Sequence, residues 1–204
     1  MTSIEQLIKS RTSANNYDSS HKLSSDEIAQ LIELATYSPS AFNFQNWKFI
    51  AVQSDEAKKR LLPLAYSQPK IVDAAVTFIV CGTLEPQLGL PSALLPSLEA
   101  GILDKGTVDG WVGAANGMYT GNVTMQRDEA VRSGAMAAMT LMLAAQGRGL
   151  VSCPMIGFDQ AGVATEFGLL ATDVPVMLVT VGRATAGNWP QKPRKDVSKV
   201  LSFT

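Results

Sequence analysis

Residues 135–145 read AMAAMTLMLAA, a run that is apolar on almost every side when it is drawn as a helix. The wider stretch 127–146 predicts one long helix, because Asp128 and Glu129 suit its positive N-terminal end and Gly147 offers a left-handed C-terminal cap. The apolar part is too short to span a bilayer, so protein must cover it. A homodimer interface is a natural cover for such a helix in a chain of 204 residues.

Composition narrows the possible classes of protein. With 46% hydrophobic residues and 17 basic against 18 acidic side chains, residues 1–204 predict one globular domain whose core needs no disulfide or structural metal. The net charge of -1 argues against a nucleic-acid partner, and neither a secretion leader nor a membrane span is visible. Cys81 and Cys153 form no metal-binding pattern. We therefore expect a cytoplasmic protein without a metal site.

Local patterns predict the order of helices and strands. A stripe of apolar residues that starts at Ile4 predicts a short helix ending near Arg11, and residues 11–17 follow as a polar loop. A capped helix is expected from Ser24 to about residue 37. The remaining short elements are strands at 47–52, 75–81 and 174–181 and a helix at 55–64.

Residues 82–125 differ in character from the rest of the chain. Glycine and proline recur there, and helical periodicity survives only in a possible helix at residues 94–103. We expect this stretch to leave the core as a lid-like excursion.

Several common catalytic sites have no counterpart in the sequence. The single histidine, His21, lies in a polar loop without a nucleophile motif beside it, which favours a solvated surface residue. No metalloprotease, EF-hand or P-loop motif occurs, and the glycines around Gly147 lack the strand-linked spacing of a Rossmann site. Side chains alone therefore supply no recognisable acid–base or nucleophilic machinery.

Two basic and polar clusters lie at opposite ends of the chain. The first combines a guanidinium, two hydroxyls and an amide, a donor set that suits a phosphate monoester. Its members are Arg11, Thr12, Ser13 and Asn15. Lys192 and Arg194 could complete the set, and ordinary solvated surface is the alternative for both clusters.

The segment 38–47 carries a different signal. Asn43 and Gln45 alternate with Phe42 and Phe44, so that amide groups stand among aromatic rings, as recognition of a flat heterocycle requires. The alternative is a turn with ordinary polar residues.

Four motifs together give the sequence a family resemblance. They are Arg11-Thr12-Ser13 with Tyr17-Asp18, Ser38-Pro39-Ser40-Ala41-x-Asn43-x-Gln45-x-Trp47, Cys153-Pro154-Met155-Ile156-Gly157-Phe158-Asp159, and Pro190-x-Lys192-x-Arg194. In order and spacing the chain resembles the nitroreductase family of FMN flavoproteins. The resemblance covers nearly the whole chain and is weakest between residues 82 and 125.

This resemblance implies an α+β fold with a central mixed, mainly antiparallel sheet flanked by helices. It also implies a homodimer with FMN at the interface and the helix at 135–145 in the dimer core. The implied cofactor-binding residues are Arg11, Thr12, Ser13, Lys192 and Arg194 near the phosphate end, Asn15 near the flavin ring, Pro39, Ser40 and Asn43 from the partner subunit, Gln68 and Lys70 at the pyrimidine edge, and Pro154, Met155, Ile156 and Gly157 near flavin N5. Asn15, Asn46 and Ile156 depart from residues common in the family.

The function implied is an FMN-dependent oxidoreductase. Hydride would pass from NAD(P)H through flavin N5 to a nitroaromatic, a quinone or a similar flat electrophile in a ping-pong reaction, with no catalytic side chain. The candidate substrate-lining residues are Phe42, Phe44, Trp111 and Tyr119, each of which could instead be core. A flavin-binding carrier or sensor without turnover is the alternative function.

Overall fold

A four-stranded sheet forms the centre of the computed structural model, which describes residues 3–204. The strands are β1 (Trp47–Val52), β2 (Val76–Thr83), β3 (Val151–Met155) and β4 (Asp173–Gly182), in the spatial order β1-β2-β4-β3. Every neighbouring pair is antiparallel, and an isolated bridge between Ser13 and Ser152 adds a parallel element at the β3 edge. The predicted α+β fold with a mainly antiparallel sheet is confirmed.

Three of the four strands were predicted, and β3 was not. Its sequence, VSCPM, contains Pro154 and only one β-branched residue, so it lacks the usual strand signal. A proline is tolerated here because β3 lies at the edge of the sheet and pairs only with β4 among the described strands.

Helices cover the sheet and extend from it. They are α1 (Ile4–Ser10), α2 (Ser25–Ala35), α3 (Asp55–Leu64), α4 (Lys70–Asp73), α5 (Pro86–Glu99), α6 (Lys105–Tyr119), α7 (Val123–Gly147) and α8 (Gln160–Glu166), with short 3-10 turns at Ala41–Asn43 and Val197–Lys199. Within residues 3–204, none of these helices is both long enough and apolar enough to cross a membrane. The predicted cap of α2 is present, because Ser24 and Glu27 bond to each other's backbone N–H groups.

The excursion after β2 is a pair of helices, and the prediction of a single helix at 94–103 was wrong. The prolines of α5 and the glycines of α6 hid two regular stripes from sequence analysis. The buried or half-buried positions are Leu90 and Leu94 in α5 and Val108, Val112, Ala115 and Tyr119 in α6. With Phe44 they form a small separate core, so the excursion is a folded unit.

The long helix α7 approaches the sheet unusually closely. A Cβ atom added to Gly82 of β2 would lie 2.0 Å from the carbonyl oxygen of Ala130 in α7. One turn later, a Cβ added to Gly134 would meet the Val176 side chain of β4 at 2.9 Å. Small residues on both sides therefore let helix and sheet backbones touch.

The apolar middle of α7 has two different faces. One faces the core, where Ala138 and Leu141 are fully buried. The other carries Met136, Met139 and Leu143, which are only partly covered in the single chain, and Met139 is 38% exposed. The predicted burial is present on the core face, whereas this second stripe is only partly covered within residues 3–204, and its cover by a partner subunit stays a prediction. We call Met136, Met139 and Leu143 the free stripe of α7.

Gly82→Ala should destabilise the fold. The new methyl group would collide with the backbone of Ala130, which cannot move aside without displacing α7. We expect a loss of about 3 kcal/mol in the free energy of unfolding, measured by urea denaturation.

Gly113→Ala is the matched control for this prediction. A Cβ at Gly113, in the middle of α6, meets nothing within 4 Å, so alanine should stabilise that helix by up to about 1 kcal/mol. A Gly82→Ala protein as stable as the wild type would contradict the close approach of α7 and β2.

Candidate functional site

The first and last basic clusters of the sequence meet in one cavity. The end of α1 places Arg11 at its edge, and the segment after β4 returns to the same place. The cavity has a volume of about 130 Å³ and is lined by Arg11, Thr12, Ser13, Trp189, Pro190, Gln191, Lys192 and Arg194. Residues separated by most of the chain thus form one site, which we call the basic cradle.

Hydrogen bonds join the two sides of the basic cradle. Gln191 Nε2 donates to the Arg11 carbonyl oxygen at 2.9 Å, and Arg194 Nη2 donates to Gln191 Oε1 at 2.8 Å. Arg194 Nη1 also donates to the Lys192 carbonyl oxygen at 3.1 Å. The Lys192 ammonium lies 4.9 Å from the centre of the Trp189 ring, a cation–π distance. These contacts join the backbone of Arg11 to the segment that carries Lys192 and Arg194.

The basic cradle has positive charge and a place for an acceptor. Arg11, Lys192 and Arg194 line it, and none of its lining residues within 3–204 is acidic. Arg11 Nη1 is buried and has no hydrogen-bond partner in the described chain. Buried polar atoms are nearly always paired, so this nitrogen indicates a site for an anion. A phosphate group, which accepts from a guanidinium fork, fits the donor set.

A second cation lies at the start of α4. Lys70 Nζ donates to Asn15 Oδ1 at 2.8 Å and lies 3.5 Å from Cys153 Sγ, so the end of the N-terminal loop, α4 and β3 meet there. Lys70, which belongs to a different element, therefore places its positive charge beside Asn15. A lysine has three N–H donors, which leaves one for a ligand.

The loop after β3 lies next to the segment that leads into α4, the helix that begins at Lys70. Gln68 Nε2 donates to the carbonyl oxygens of Gly157 at 3.0 Å and Ala65 at 3.1 Å, and so ties the approach to α4 to the β3 loop. Met155 is buried, whereas Ile156 is 82% exposed and Gly157 is also exposed. A Cβ on Gly157 would make only ordinary contacts within the chain, the nearest at 3.6 Å, so the exposed backbone is open to a ligand.

The segment 38–45 has a strained backbone and is anchored on α7. Phe42, Asn43 and Gln45 all have positive φ angles, of 52°, 60° and 51°. Ser38 Oγ lies 2.6 Å from Thr140 Oγ1, which fixes the segment beside the free stripe of α7. Left-handed non-glycine residues cost roughly 1–3 kcal/mol each and concentrate at functional sites. Pro39, Ser40 and Asn43, predicted to reach the partner subunit's flavin, lie in this anchored segment.

The four aromatic candidates separate into two pairs. Tyr119 and Phe44 pack edge to face at 5.1 Å and are only 1% and 6% exposed, so they belong to the core of the α5–α6 unit. This burial argues against a substrate-lining role for either residue. Phe42 and Trp111, with ring centres 6.2 Å apart, remain accessible at the outer side of the cluster.

His21 lies in a different cavity from the basic cradle. It is half-buried beside Arg148 and Arg183, and its Nδ1 atom has no hydrogen-bond partner within residues 3–204. The expectation of a fully solvated histidine was therefore too simple, although His21 joins none of the predicted site residues.

Sequence analysis missed three polar or aromatic residues of this region. Gln191 sits inside the last motif and bridges Arg11 to Arg194, while Trp189 stacks on Lys192. Asn188 bonds to the backbone of the N-terminal loop. Gly187-Asn188 is a recognisable turn signal, but the partner of that turn becomes visible only when both chain ends are placed.

Comparison with known proteins identifies the family. The sequence profile of the nitroreductase family matches residues 8–183. The chain belongs to the nitroreductase family. This match includes the N-terminal loop, the strained segment and the β3 loop, and it ends before the second side of the basic cradle.

Relatives of this nitroreductase-family chain align along their full length. YodC of Bacillus subtilis (strain 168), which carries the name of an NAD(P)H nitroreductase, is 33% identical over 203 residues. The alignment covers 100% of this chain and 100% of YodC. A crystal structure from Exiguobacterium sibiricum 255-15, named as a nitroreductase in complex with FMN, is 29% identical, with a TM-score of 0.93 and coverage of 100% of this chain and 98% of that one. The Bacillus subtilis ydfN structure has a TM-score of 0.92 at 29% identity, covering 98% of each chain.

Alkaline pH should reveal the burial of Tyr119 in this nitroreductase fold. Its hydroxyl donates to Glu129 Oε2 at 3.1 Å, and burial, followed by the Glu129 charge, raises the pKa of Tyr119 to about 12. The unfolded chain releases this proton near pH 10. The stabilisation of the folded state by the buried, protonated hydroxyl is therefore complete below that pH and is lost as pH rises through 12. Between pH 10 and 11 the wild type should lose about 1 kcal/mol of unfolding free energy that Tyr119→Phe does not lose.

Tyr37→Phe provides the control for this measurement. Tyr37 is 80% exposed, so its removal should leave the pH dependence of urea unfolding unchanged. If Tyr119→Phe and wild type lose the same unfolding free energy between pH 10 and 11, the buried hydroxyl of Tyr119 is not the cause of that loss.

Proposed function

We propose that this chain is an FMN-dependent oxidoreductase. It takes hydride from NAD(P)H and passes it to a nitroaromatic, a quinone or a similar flat electrophile, one substrate after the other at the same open face. The observation that carries the proposal is the unpaired, buried Arg11 Nη1 in a cavity that joins both ends of the chain. Family membership and the FMN complex of the Exiguobacterium sibiricum relative support it.

The residues present fit FMN from end to end. The basic cradle would hold the phosphate, because Arg11, Lys192 and Arg194 offer charged donors without a competing carboxylate. Lys70 and Gln68 would meet the polar pyrimidine edge, and backbone N–H groups at Ile156 and Gly157 would face N5. When bound, the flavin supplies the hydride chemistry through N5, which accounts for the lack of catalytic side chains.

The chain's own contribution is position and electrostatics. Lys70 lies beside β3, and its hydrogen bonds to Asn15 and Cys153 hold it in place for negative charge that would develop at the pyrimidine edge. Ile156, exposed and uncharged, gives the substrate face an apolar border. Phe42 and Trp111 would add a flat wall suited to planar acceptors.

We also propose a homodimer with two FMN molecules at its interface. The free stripe of α7 is apolar and only partly covered in the single chain, and the C-terminal segment exposes Val197, Val200 and Phe203, the last at 91%. Exposed apolar surface of this kind marks interfaces. The segment carrying Pro39, Ser40 and Asn43 lies beside the free stripe, so a partner docked there would receive these residues at its flavin.

The cytoplasmic location remains part of the proposal. Its support is that Cys81 and Cys153 are both buried and free, as expected in a reducing compartment.

A single set of spectra tests the proposed reaction. The purified protein should show flavin absorbance that bleaches anaerobically with NADH or NADPH and returns with a quinone. Bound flavin that neither nucleotide reduces would identify a carrier or sensor instead, and a protein that binds no flavin would refute the cofactor.

Arg11→Ala combined with Arg194→Ala should remove FMN from the protein. Each guanidinium is a charge-assisted donor worth roughly 1.5–3 kcal/mol to a phosphate, so affinity should fall by about a hundredfold or more. FMN fluorescence titration of the apoprotein measures this loss.

A charge-matched double variant separates phosphate binding from a general loss of positive charge. Arg60→Ala with Arg148→Ala removes two arginines that do not line the basic cradle, so FMN binding should remain close to wild type. Equal losses in both double variants would contradict the assignment of the cradle.

Met139→Glu should dissociate the dimer and release flavin with it. A carboxylate on the free stripe would be left unpaired in a dry interface, at a cost of several kcal/mol. Light scattering reports the mass, and gel filtration reports whether flavin stays with the protein.

Leu170→Glu is the control, because Leu170 is 64% exposed outside α7 and outside the cradle. A monomeric wild type, or a Met139→Glu protein that stays a flavin-loaded dimer, would refute the proposed interface.

A further inference from the structure

Asn188 lies in the turn between β4 and the second side of the basic cradle. Its Oδ1 atom accepts hydrogen bonds from the backbone N–H groups of Asn15 at 2.7 Å and Asn16 at 2.9 Å. Its Nδ2 group donates to the carbonyl oxygens of Asn16 at 2.8 Å and Thr185 at 3.1 Å. The side chain therefore uses two acceptor positions and two donors, which is the full capacity of an amide.

This bonding pattern requires an asparagine at position 188. Aspartate could accept from the two N–H groups but could not donate to the two carbonyl oxygens. A serine is shorter and could not reach both the N-terminal loop and the turn. The neighbouring residue tightens the fit, because Gly187 has a φ of +88° and an added Cβ would lie 3.1 Å from Asn16 Nδ2. The turn and the N-terminal loop are thus closely packed.

The same contact links two parts of the proposed cofactor site. Along the chain, Asn188 directly precedes Trp189, the first lining residue on the second side of the basic cradle. Across the chain, it holds the backbone of Asn15, whose Oδ1 atom accepts from Lys70 Nζ at 2.8 Å. One hydrogen-bonded path therefore runs from the cradle to the lysine, although Asn188 does not itself line the cavity.

We propose that Asn188 is a positioning residue that sets both the phosphate cradle and Lys70, and so couples FMN affinity to flavin potential. The inference rests on the proposed FMN function. Without the amide, the turn at 185–188 keeps only the bond from the Thr185 N–H to the Asn16 carbonyl oxygen, at 3.3 Å, among its hydrogen bonds to residues 15 and 16, so the second side of the cradle can shift away from Arg11. Lys70 then loses the fixed direction of its remaining donor, because its acceptor Asn15 is no longer held.

Asn188→Ala tests both consequences. The Kd for FMN, measured by fluorescence titration of apoprotein, should rise about tenfold. In the loaded protein, the preference for reduced over oxidised flavin should fall about threefold, which lowers the two-electron midpoint potential by roughly 15 mV in a dye-equilibrated titration. A residue that only stabilised the fold would leave the potential of bound flavin unchanged.

Asn188→Asp separates the hydrogen bonds that the side chain accepts from those that it donates. It also provides the test if the alanine variant folds poorly. It keeps the acceptor for the Asn15 and Asn16 N–H groups, so the potential should stay near the wild-type value. It loses both donors and adds negative charge next to the cradle, so FMN should still bind more weakly. A potential shift equal to that of Asn188→Ala would overturn the acceptor path to Lys70.

Asn122→Ala is the matched control, because it removes a comparable asparagine amide at a helix cap. Asn122 Oδ1 accepts from Met125 N–H at 3.1 Å at the start of α7. We expect some loss of stability, with FMN affinity and potential unchanged. FMN affinity within twofold of wild type in Asn188→Ala, or an equal loss in Asn122→Ala, would overturn the proposal.

Titration of the apoproteins with inorganic phosphate keeps this test independent of the cofactor. Wild type should bind phosphate more tightly than Asn188→Ala, because phosphate affinity depends on the basic cradle and not on the rest of the cofactor site. A wild type that binds phosphate but no FMN would refute the proposed function and still decide the role of Asn188 at the cradle. Equal phosphate binding by both proteins would refute that role.

Discussion

The contact between the backbones of α7 and β2 fixes the positions of most other elements. Because Gly82 and Ala130 leave no room for a side chain between them, α7 cannot slide or tilt on the sheet. Two surface units are then attached to α7: the strained segment through Ser38, and the α5–α6 unit through the bond between Glu129 and Tyr119. The same placement turns the free stripe outward, so the packing of α7 on the sheet also leaves this apolar stripe partly exposed.

The basic cradle depends on a different balance. Arg11, Lys192 and Arg194 repel one another, and nothing acidic within residues 3–204 lines their cavity to offset that repulsion. The bond that Gln191 donates to Arg11 and the bond that Asn188 accepts from Asn15 hold the segments together in spite of it. Part of the favourable free energy of these neutral amide contacts thus offsets the repulsion between like charges, and an anion with several acceptor oxygens would relieve that repulsion on binding.

The sequence predicted those parts whose signals are local. Strands β1, β2 and β4 carry β-branched and aromatic residues close together in the chain. The apolar body of α7 was also predicted, but the helix begins at Val123, four residues before the predicted start, and the glycine with a left-handed φ angle is Gly149 instead of Gly147. Edge strand β3 was not predicted because Pro154 weakens its strand signal. Helices α5 and α6 were not predicted because their prolines and glycines obscure the helical spacing of their apolar residues. The burial of Tyr119 and the role of Asn188 could not be predicted, since each depends on which distant segments meet.

Backbone strain connects these observations to the chemistry. Two segments of left-handed non-glycine residues occur near the predicted site, one at Phe42 and Asn43 and the other at Tyr66 and Ser67, whose φ angles are 54° and 55°. Each is held by contacts to a rigid element, α7 in the first case and, through Gln68, the β3 loop in the second. Conformations that cost energy persist only where their surroundings enforce them. A flavin bound between such segments would meet groups already in place, so its binding energy would not be used to order loops, and hydride transfer needs that fixed geometry more than it needs an acid or a base.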